Sequence, residues 1–215
     1  MRYKTILFDL DGTITDSGAG VMHGMELALA HYGLPVPDRK ALRVIVGPPL
    51  RDSFLRFGIR PEDVEPALEL YRRFYNRDGW LENLVYPGIE AMLDRLKKQG
   101  LRLCIATSKP EDIAVHVLEH FGLARYFDRI CGASRDASRD SKAAVIAHLL
   151  AQEGRDIPMV MVGDTHYDVL GAATFGIETI GVAWGYGLTE EMEQAGAIAI
   201  AGTPEELSNM LLTSV

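Results

Sequence analysis

Short apolar runs recur along this chain, and stretches with apolar residues every three or four positions separate them. The runs are Lys4–Asp9, Leu101–Thr107, Arg129–Gly132, Met159–Asp164, Thr179–Val182 and Ala197–Ala199. Continuous apolar strands alternating with helices predict a parallel sheet covered on both faces. Gly88–Gln99 carries Ile89, Met92, Leu93 and Leu96 at helical spacing, and Gly100 is a stop signal. Ser141–Glu153 repeats the pattern with Val145, Ile146, Leu149 and Leu150, and Gly154 ends it.

One stretch breaks the alternation. About ninety residues between the first run and Leu101 are mostly helical by pattern and hold no convincing strand, far too long for a simple crossover. Asp16 or Ser17 can cap a helix running to Tyr32, with Gly33 at its end. Arg39–Val46, Leu50–Phe57 and Pro61–Arg77 follow, with Gly47-Pro48-Pro49 as punctuation and Pro61 as a first-turn proline. The reading is an α/β protein with a doubly wound, Rossmann-like parallel sheet, formed by residues 1–14 and 83–215, and an inserted α-helical domain over residues 15–82. No internal repeat or low-complexity segment interrupts it.

Composition narrows the function classes. A chain of 215 residues with 47% hydrophobic content can build one good core with a smaller lobe attached. With 22 Lys+Arg against 30 Asp+Glu, the net charge is −8, which speaks against nucleic-acid binding and against docking on an anionic membrane. Cys104 and Cys131 lie in apolar stretches, as free thiols do in a reducing compartment. The N-terminus does not read as a signal peptide, and no apolar run approaches the ~18 residues of a membrane span. These features predict a soluble cytoplasmic protein, monomer or homodimer.

The chemistry gathers where the apolar runs end. Asp9-Leu10-Asp11-Gly12-Thr13 closes the first run with two carboxylates two residues apart and a glycine that turns the chain. Residues i and i+2 of a strand share a face, and two nearby carboxylates repel unless a cation or a shared proton compensates. Hard oxygen ligands suit magnesium. The second run ends in Thr107-Ser108-Lys109, Lys142 opens a helix, and the fourth run ends in Gly163-Asp164-Thr165-His166-Tyr167-Asp168. In open α/β sheets ligands bind at that edge. There a carboxylate can attack phosphorus while a second acid protonates the leaving oxygen. The Thr107 hydroxyl can bind phosphoryl oxygens, Lys142 can offset the accumulated negative charge, and Asp164 and Asp168 can complete a magnesium site.

DLDGT, the threonine of ATSK, Lys142 and GDTHYD stand in the order of the four motifs of haloacid dehalogenase (HAD)-superfamily hydrolases. Over nearly its whole length the chain resembles the branch that holds phosphoglycolate phosphatases and β-phosphoglucomutases. The resemblance implies a magnesium-dependent phosphatase acting on a small phosphorylated metabolite, phosphoglycolate or a nucleoside 5′-monophosphate. It makes Asp9 the nucleophile and Asp11 the general acid/base. The metal ligands become Asp9, the Asp11 backbone carbonyl and Asp164, with Asp168 a further ligand or a support behind them. The helical insertion becomes a cap. Ser108 stands where relatives often have Asn, and Lys142-Ala143 where they often have Lys-Pro, which leaves Arg139 as an alternative cation. Substrate contacts are expected from Gly12, Ser108, Lys109 and, in the cap, Arg51. A phosphomutase is the rival within enzymes, and a non-catalytic phospholigand-binding regulator the rival outside them. Dehalogenase and phosphonatase chemistry is disfavoured because relatives of those types lack an acid at the position of Asp11.

Plainer readings accompany several of these residues. Asp164 and Asp168 suit a helix cap, and Arg51 can pair with a neighbouring acid. His23 suits a solvated or core-satisfied position, His166 suits a surface position as well as a cleft-facing one between the two acids, and Tyr71, Phe74 and Tyr75 suit the core of the helical domain. Trp184 and Tyr186, in the glycine-rich loop Gly181–Gly187, are left unassigned.

Overall fold

The apolar run behind the paired acids forms strand β1, Thr5–Phe8, with all four residues buried. The structure, a computed structural model, describes residues 2–47, 50–136, 138–153 and 158–213. The punctuation expected at Pro48-Pro49 and the helix end expected at Gly154 lie outside those residues. The other strands are β2 (Thr15–Asp16), β3 (Leu84–Val85), β4 (Arg102–Pro110), β5 (Arg129–Ala133), β6 (Met159–Gly163), β7 (Glu178–Val182) and β8 (Ala199–Ala201). Six of them form one parallel sheet in the order β5-β4-β1-β6-β7-β8. This is the doubly wound order. The chain winds outward from β1 to β5, then crosses back to β6 on the other side of β1.

Registry sets the site. Phe8 lies level with Ile105 of β4 and with Val162 of β6, so the residues just beyond these positions meet at one edge. Helices Ile89–Lys98, Glu111–His120, Lys142–Glu153 and His166–Ala173 follow their strands. Ile89, Met92, Leu93 and Leu96 are buried, as their spacing predicts. Val145, Ile146, Leu149 and Leu150 pack with Leu7, Cys104 and Met161 in one core cluster. Cys104 and Cys131 are both buried and outside any disulfide. No helix among the described residues is long and apolar enough to cross a membrane.

The chain divides into two compact units, Met1–Thr15 with Val85–Val215, and Asp16–Leu84. The second unit is helical. Its longest helices, Gly18–His31 and Val64–Arg77, contact each other. Val64, Ala67, Leu68, Tyr71 and Tyr75 form the buried stripe of the latter. Gly24 permits a close approach: a Cβ there would come within 2.6 Å of the Tyr71 ring. Tyr71 stacks on Tyr75 at 5.5 Å and meets Phe54 edge-on at 6.4 Å.

Several boundaries differ from the expectation. Between the first strand and Leu101 there are two short strands, β2 and β3, where none was expected; two residues are too few to leave a pattern. The segment Arg39–Val46 is an α-turn at Arg39–Leu42 followed by a 3-10 turn at Arg43–Ile45. Pro61–Asp63 is likewise 3-10, and the α-helix starts at Val64. Ser17 makes no capping hydrogen bond; the Gly18 N–H reaches Asp16 Oδ1 at 3.4 Å. The last strand lies two residues later than expected, because pairing of Ile180 with Ala199 and Val182 with Ala201 sets its bounds. Strand β4 runs on to Pro110, and that extension matters for the site. Ala106 pairs with Cys131 and Pro110 with Ala133, so four steps on β4 face two on β5. The surplus residues bulge, and such bulges re-aim side chains beside active sites.

Candidate active site

Strand β1 delivers Asp9 to the carboxyl edge, where it stays 9% exposed. Lys142, at the start of its helix, reaches it from the side. The Lys142 Nζ lies 2.8 Å from Asp9 Oδ1 and 2.7 Å from Asp168 Oδ1, and donates to the Ala106 carbonyl at 2.9 Å. Gly171 makes room for the lysine stem, since a Cβ there would come within 2.6 Å of Lys142 Cγ. Arg139, the alternative cation, is engaged elsewhere. It donates to the Gly132 carbonyl at 2.7 Å and to Glu111 Oε2 at 2.8 Å.

Asp164 follows β6 and is 1% exposed. Thr13 Oγ1 donates to its Oδ1 at 3.1 Å, and the Tyr186 N–H donates to its Oδ2 at 2.9 Å. Three glycines close around it. A Cβ on Gly12 or Gly185 would come within 2.1 or 2.4 Å of Asp164 Oδ2, and one on Gly187 within 2.0 Å of the Asp164 carbonyl. Gly12 also needs its positive φ of +84° for the turn after Asp11. Asp168 is both cap and charge partner. Its Oδ2 accepts from the Thr165 N–H at 3.1 Å and hydroxyl at 2.9 Å in a capping box, while Oδ1 faces Lys142.

Asp9, Asp164 and Asp168 each bring a carboxylate oxygen within 4.8 Å of the others. Lys142 supplies one positive charge against the three. Burial pushes the Asp9 carboxyl up to about 6, with help from Asp168, while Lys142 and the Thr107 hydroxyl oppose the shift. Burial likewise pushes Asp164 up to about 8, reinforced by Asp168 and Asp9 and opposed by the Tyr186 N–H and Thr13. Burial by itself would lower the Lys142 ammonium; Asp168 and Asp9 more than reverse that and hold it charged. Acids that resist ionisation in a shared pocket fit a divalent cation, which would relieve both burial and repulsion. A second trio, Glu111, Cys131 and His148, also lies within 4.8 Å, but Glu111 already holds Arg139 and the Gly132 N–H.

The remaining expected residues divide. The bulge of β4 places Thr107 against Asp9, and the Lys109 N–H donates to Thr107 Oγ1 at 3.2 Å. Ser108 is exposed. Lys109 Nζ donates to both carboxylate oxygens of Asp11, at 3.0 and 2.8 Å. The Asp11 side chain is therefore not one of the clustered acids. Arg51 lies in the helical unit and pairs with Glu65, both exposed. His23 pairs with Glu82 at 2.6 Å and His166 with Glu191 at 3.0 Å. Sequence reasoning missed Thr13, Gly171, Gly185 and Gly187, and left unassigned Trp184, whose Nε1 donates to the Thr13 carbonyl at 3.0 Å. The density of glycine in Gly181–Gly187 was the available signal for a close backbone approach.

Asp9, Lys142, Asp164 and Asp168 thus meet at the carboxyl edge of a doubly wound sheet. Residues 6–182 match the haloacid dehalogenase-like hydrolase family, and the chain belongs to it. It is 43% identical over 212 residues to tyrosine-protein kinase PtkA of Mycobacterium tuberculosis, covering 97% of this chain and 72% of that protein. It is 38% identical over 194 residues to a 5'-nucleotidase of Pseudomonas aeruginosa, covering 89% of this chain and 88% of the other. The solved structure of a predicted phosphatase from Clostridium acetobutylicum superposes with a TM-score of 0.91 at 40% identity, covering 98% of both chains.

Proposed function

We propose that the protein hydrolyses a small-molecule phosphate monoester through an aspartyl-phosphate on Asp9, with magnesium as cofactor. The observation that carries this is the charge imbalance at Asp9: a buried nucleophilic carboxylate faces Lys142, Asp164 and Asp168 within one pocket. Asp9 attacks phosphorus, the bond to the leaving oxygen breaks, and Asp11 gives that oxygen a proton. Asp11 then takes a proton from water as the water oxygen attacks phosphorus; the bond to Asp9 breaks and inorganic phosphate leaves. Thr107 and Lys142 bind the charge that develops on the phosphoryl oxygens. Magnesium would be held by Asp9 and Asp164, with the Asp11 carbonyl, and would supply Lewis-acid neutralisation of the phosphoryl group. Asp168, with one oxygen on Lys142 and the other on Thr165, supports the site from behind.

In this reading the helical unit, Asp16–Leu84, is the cap that selects the leaving group, and Arg51 is its candidate substrate contact. Gly12, Ser108 and Lys109 border the phosphoryl pocket. Buried cysteines outside any disulfide and a negative net charge suit a cytoplasmic enzyme of small metabolites. The test is phosphate release from p-nitrophenyl phosphate, phosphoglycolate and nucleoside 5′-monophosphates, with and without magnesium, for the wild type and Asp9→Asn. Turnover that depends on magnesium and on Asp9 is expected; full turnover by Asp9→Asn would overturn the assignment. Isomerised sugar phosphate in place of free phosphate would identify a mutase.

Likeness to a protein named a tyrosine kinase supports a second reading, in which the phosphoryl group passes from a nucleotide to a tyrosine instead of to water. Incubation with γ-labelled ATP separates the two. Label in free phosphate supports the hydrolase, and label on tyrosine supports the transferase.

A further inference from the structure

Lys109 stands beside the Asp9 cluster, on the same bulge of β4 as Thr107. Its side chain is only 3% exposed, and Nζ donates to both oxygens of Asp11, which is 21% exposed and 98 positions away in sequence. The lysine backbone is itself held. It stands on the β4 bulge, its N–H donates to Thr107 Oγ1, and a Cβ on Gly132 would come within 2.6 Å of its carbonyl. Asp11 sits on a tight turn closed by the Gly12 N–H and the Thr15 carbonyl at 2.8 Å. A part-exposed carboxylate on such a turn would sample several rotamers in water, and proton transfer is sensitive to misplacement near 1 Å.

We infer that Lys109 is the positioning residue for Asp11: it fixes the carboxylate for proton transfer and is not primarily a phosphate contact. This rests on the assignment of Asp11 as the proton carrier. Asp11 gives one proton to the leaving oxygen and regains one from water, while Lys109 keeps its own protons throughout and stays on one carboxylate oxygen.

The experiment compares Lys109→Met, Lys109→Arg, Asp11→Asn and the double variant on phenyl phosphate and p-nitrophenyl phosphate. The p-nitrophenolate departs readily without a proton; the poorer phenolate leaving group needs one. Lys109→Met is expected to lower kcat/KM for phenyl phosphate about tenfold more than for p-nitrophenyl phosphate, with little change in KM. Lys109→Arg recovers most of the loss. In the Asp11→Asn background, Lys109→Met adds less than about a twofold effect. Equal losses on both substrates with a raised KM, or full additivity with Asp11→Asn, would overturn the inference. Thermal unfolding of each variant identifies a folding defect, in which case the Lys109→Arg pattern decides. Full turnover by Asp9→Asn would instead sink the hydrolase reading itself.

Discussion

The same residue types behave differently in the two units. At the carboxyl edge of the sheet, Lys142 and its acids are almost fully buried, and the one ammonium touches two of three clustered carboxylates, Asp9 and Asp168. In the helical unit, Arg51 with Glu65, Arg39 with Glu26, and Arg60 with Glu62 and Asp63 are ion pairs on exposed or part-exposed side chains. Water screens the second group, so each pair adds little to stability. The buried cluster cannot use water, so its charges must be met by protons, by Lys142 or by an incoming cation or substrate. The lesson is that burial, with charge left over, marks the functional group; ion pairing alone does not.

The sharpest way to break this contrast is Asp9→Asn. Turnover should fall at least about ten-thousandfold with the fold kept, measured by phosphate release and circular dichroism. Retained activity would put the nucleophile elsewhere. Next, Lys142→Met should cost about 3–5 kcal/mol in denaturant unfolding, since it strands Asp9 and Asp168 in a buried pocket. A cost within that of Arg51→Ala would erase the distinction between the two regions.

A pair of glycine substitutions sharpens it further. Gly12→Ala would strain a φ of +84° and press on Asp164, whereas Gly24→Ala would press on Tyr71 inside the helical unit. Each should cost about 1–3 kcal/mol. Only Gly12→Ala should also weaken magnesium-induced thermal stabilisation.

The pH dependence follows from the raised acids. Asp9 at about 6 and Asp164 at about 8, against an ordinary 3.8, keep protons in the folded state that the unfolded chain has released. Without a divalent ion their contribution is fully present below about pH 4 and is lost as pH rises toward about 8. Bound magnesium would replace those protons, so the Tm gain on adding it should be larger at pH 8 than at pH 5. Equal gains at both values would argue against these acids as its ligands. The smallest effect belongs to Arg51→Ala, where unfolding should move by under about 1 kcal/mol.

Much of this architecture was readable as sequence. Apolar runs of strand length located all six strands of the main sheet, and helical spacing located Ile89–Lys98 and Lys142–Glu153. The helices Glu111–His120 and Pro204–Leu212 were not read, and both follow or begin with proline, which reads as punctuation. The DLDGT and GDTHYD motifs named Asp9, Asp11, Asp164 and Asp168 without a coordinate. Their local character made that possible: Asp9 and Asp164 directly follow their own strands, Asp11 stands on the turn just beyond, and Asp168 caps its own helix.

What the chain could not reveal by itself is which acids meet. Asp11 is two residues from Asp9, yet its carboxylate goes to Lys109, while Asp164 and Asp168, more than 150 positions away, join Asp9. Lys142 rather than Arg139 takes the central place because Arg139 is tied to Gly132 and Glu111. The bulge at Thr107–Lys109 and the glycine contacts on Asp164 are equally invisible in any short window. Local periodicity determines element type because it depends on neighbours three or four residues apart. Partner choice depends on strand order and register, which arise only when β1 is paired between β4 and β6 and burial makes each unmatched charge costly.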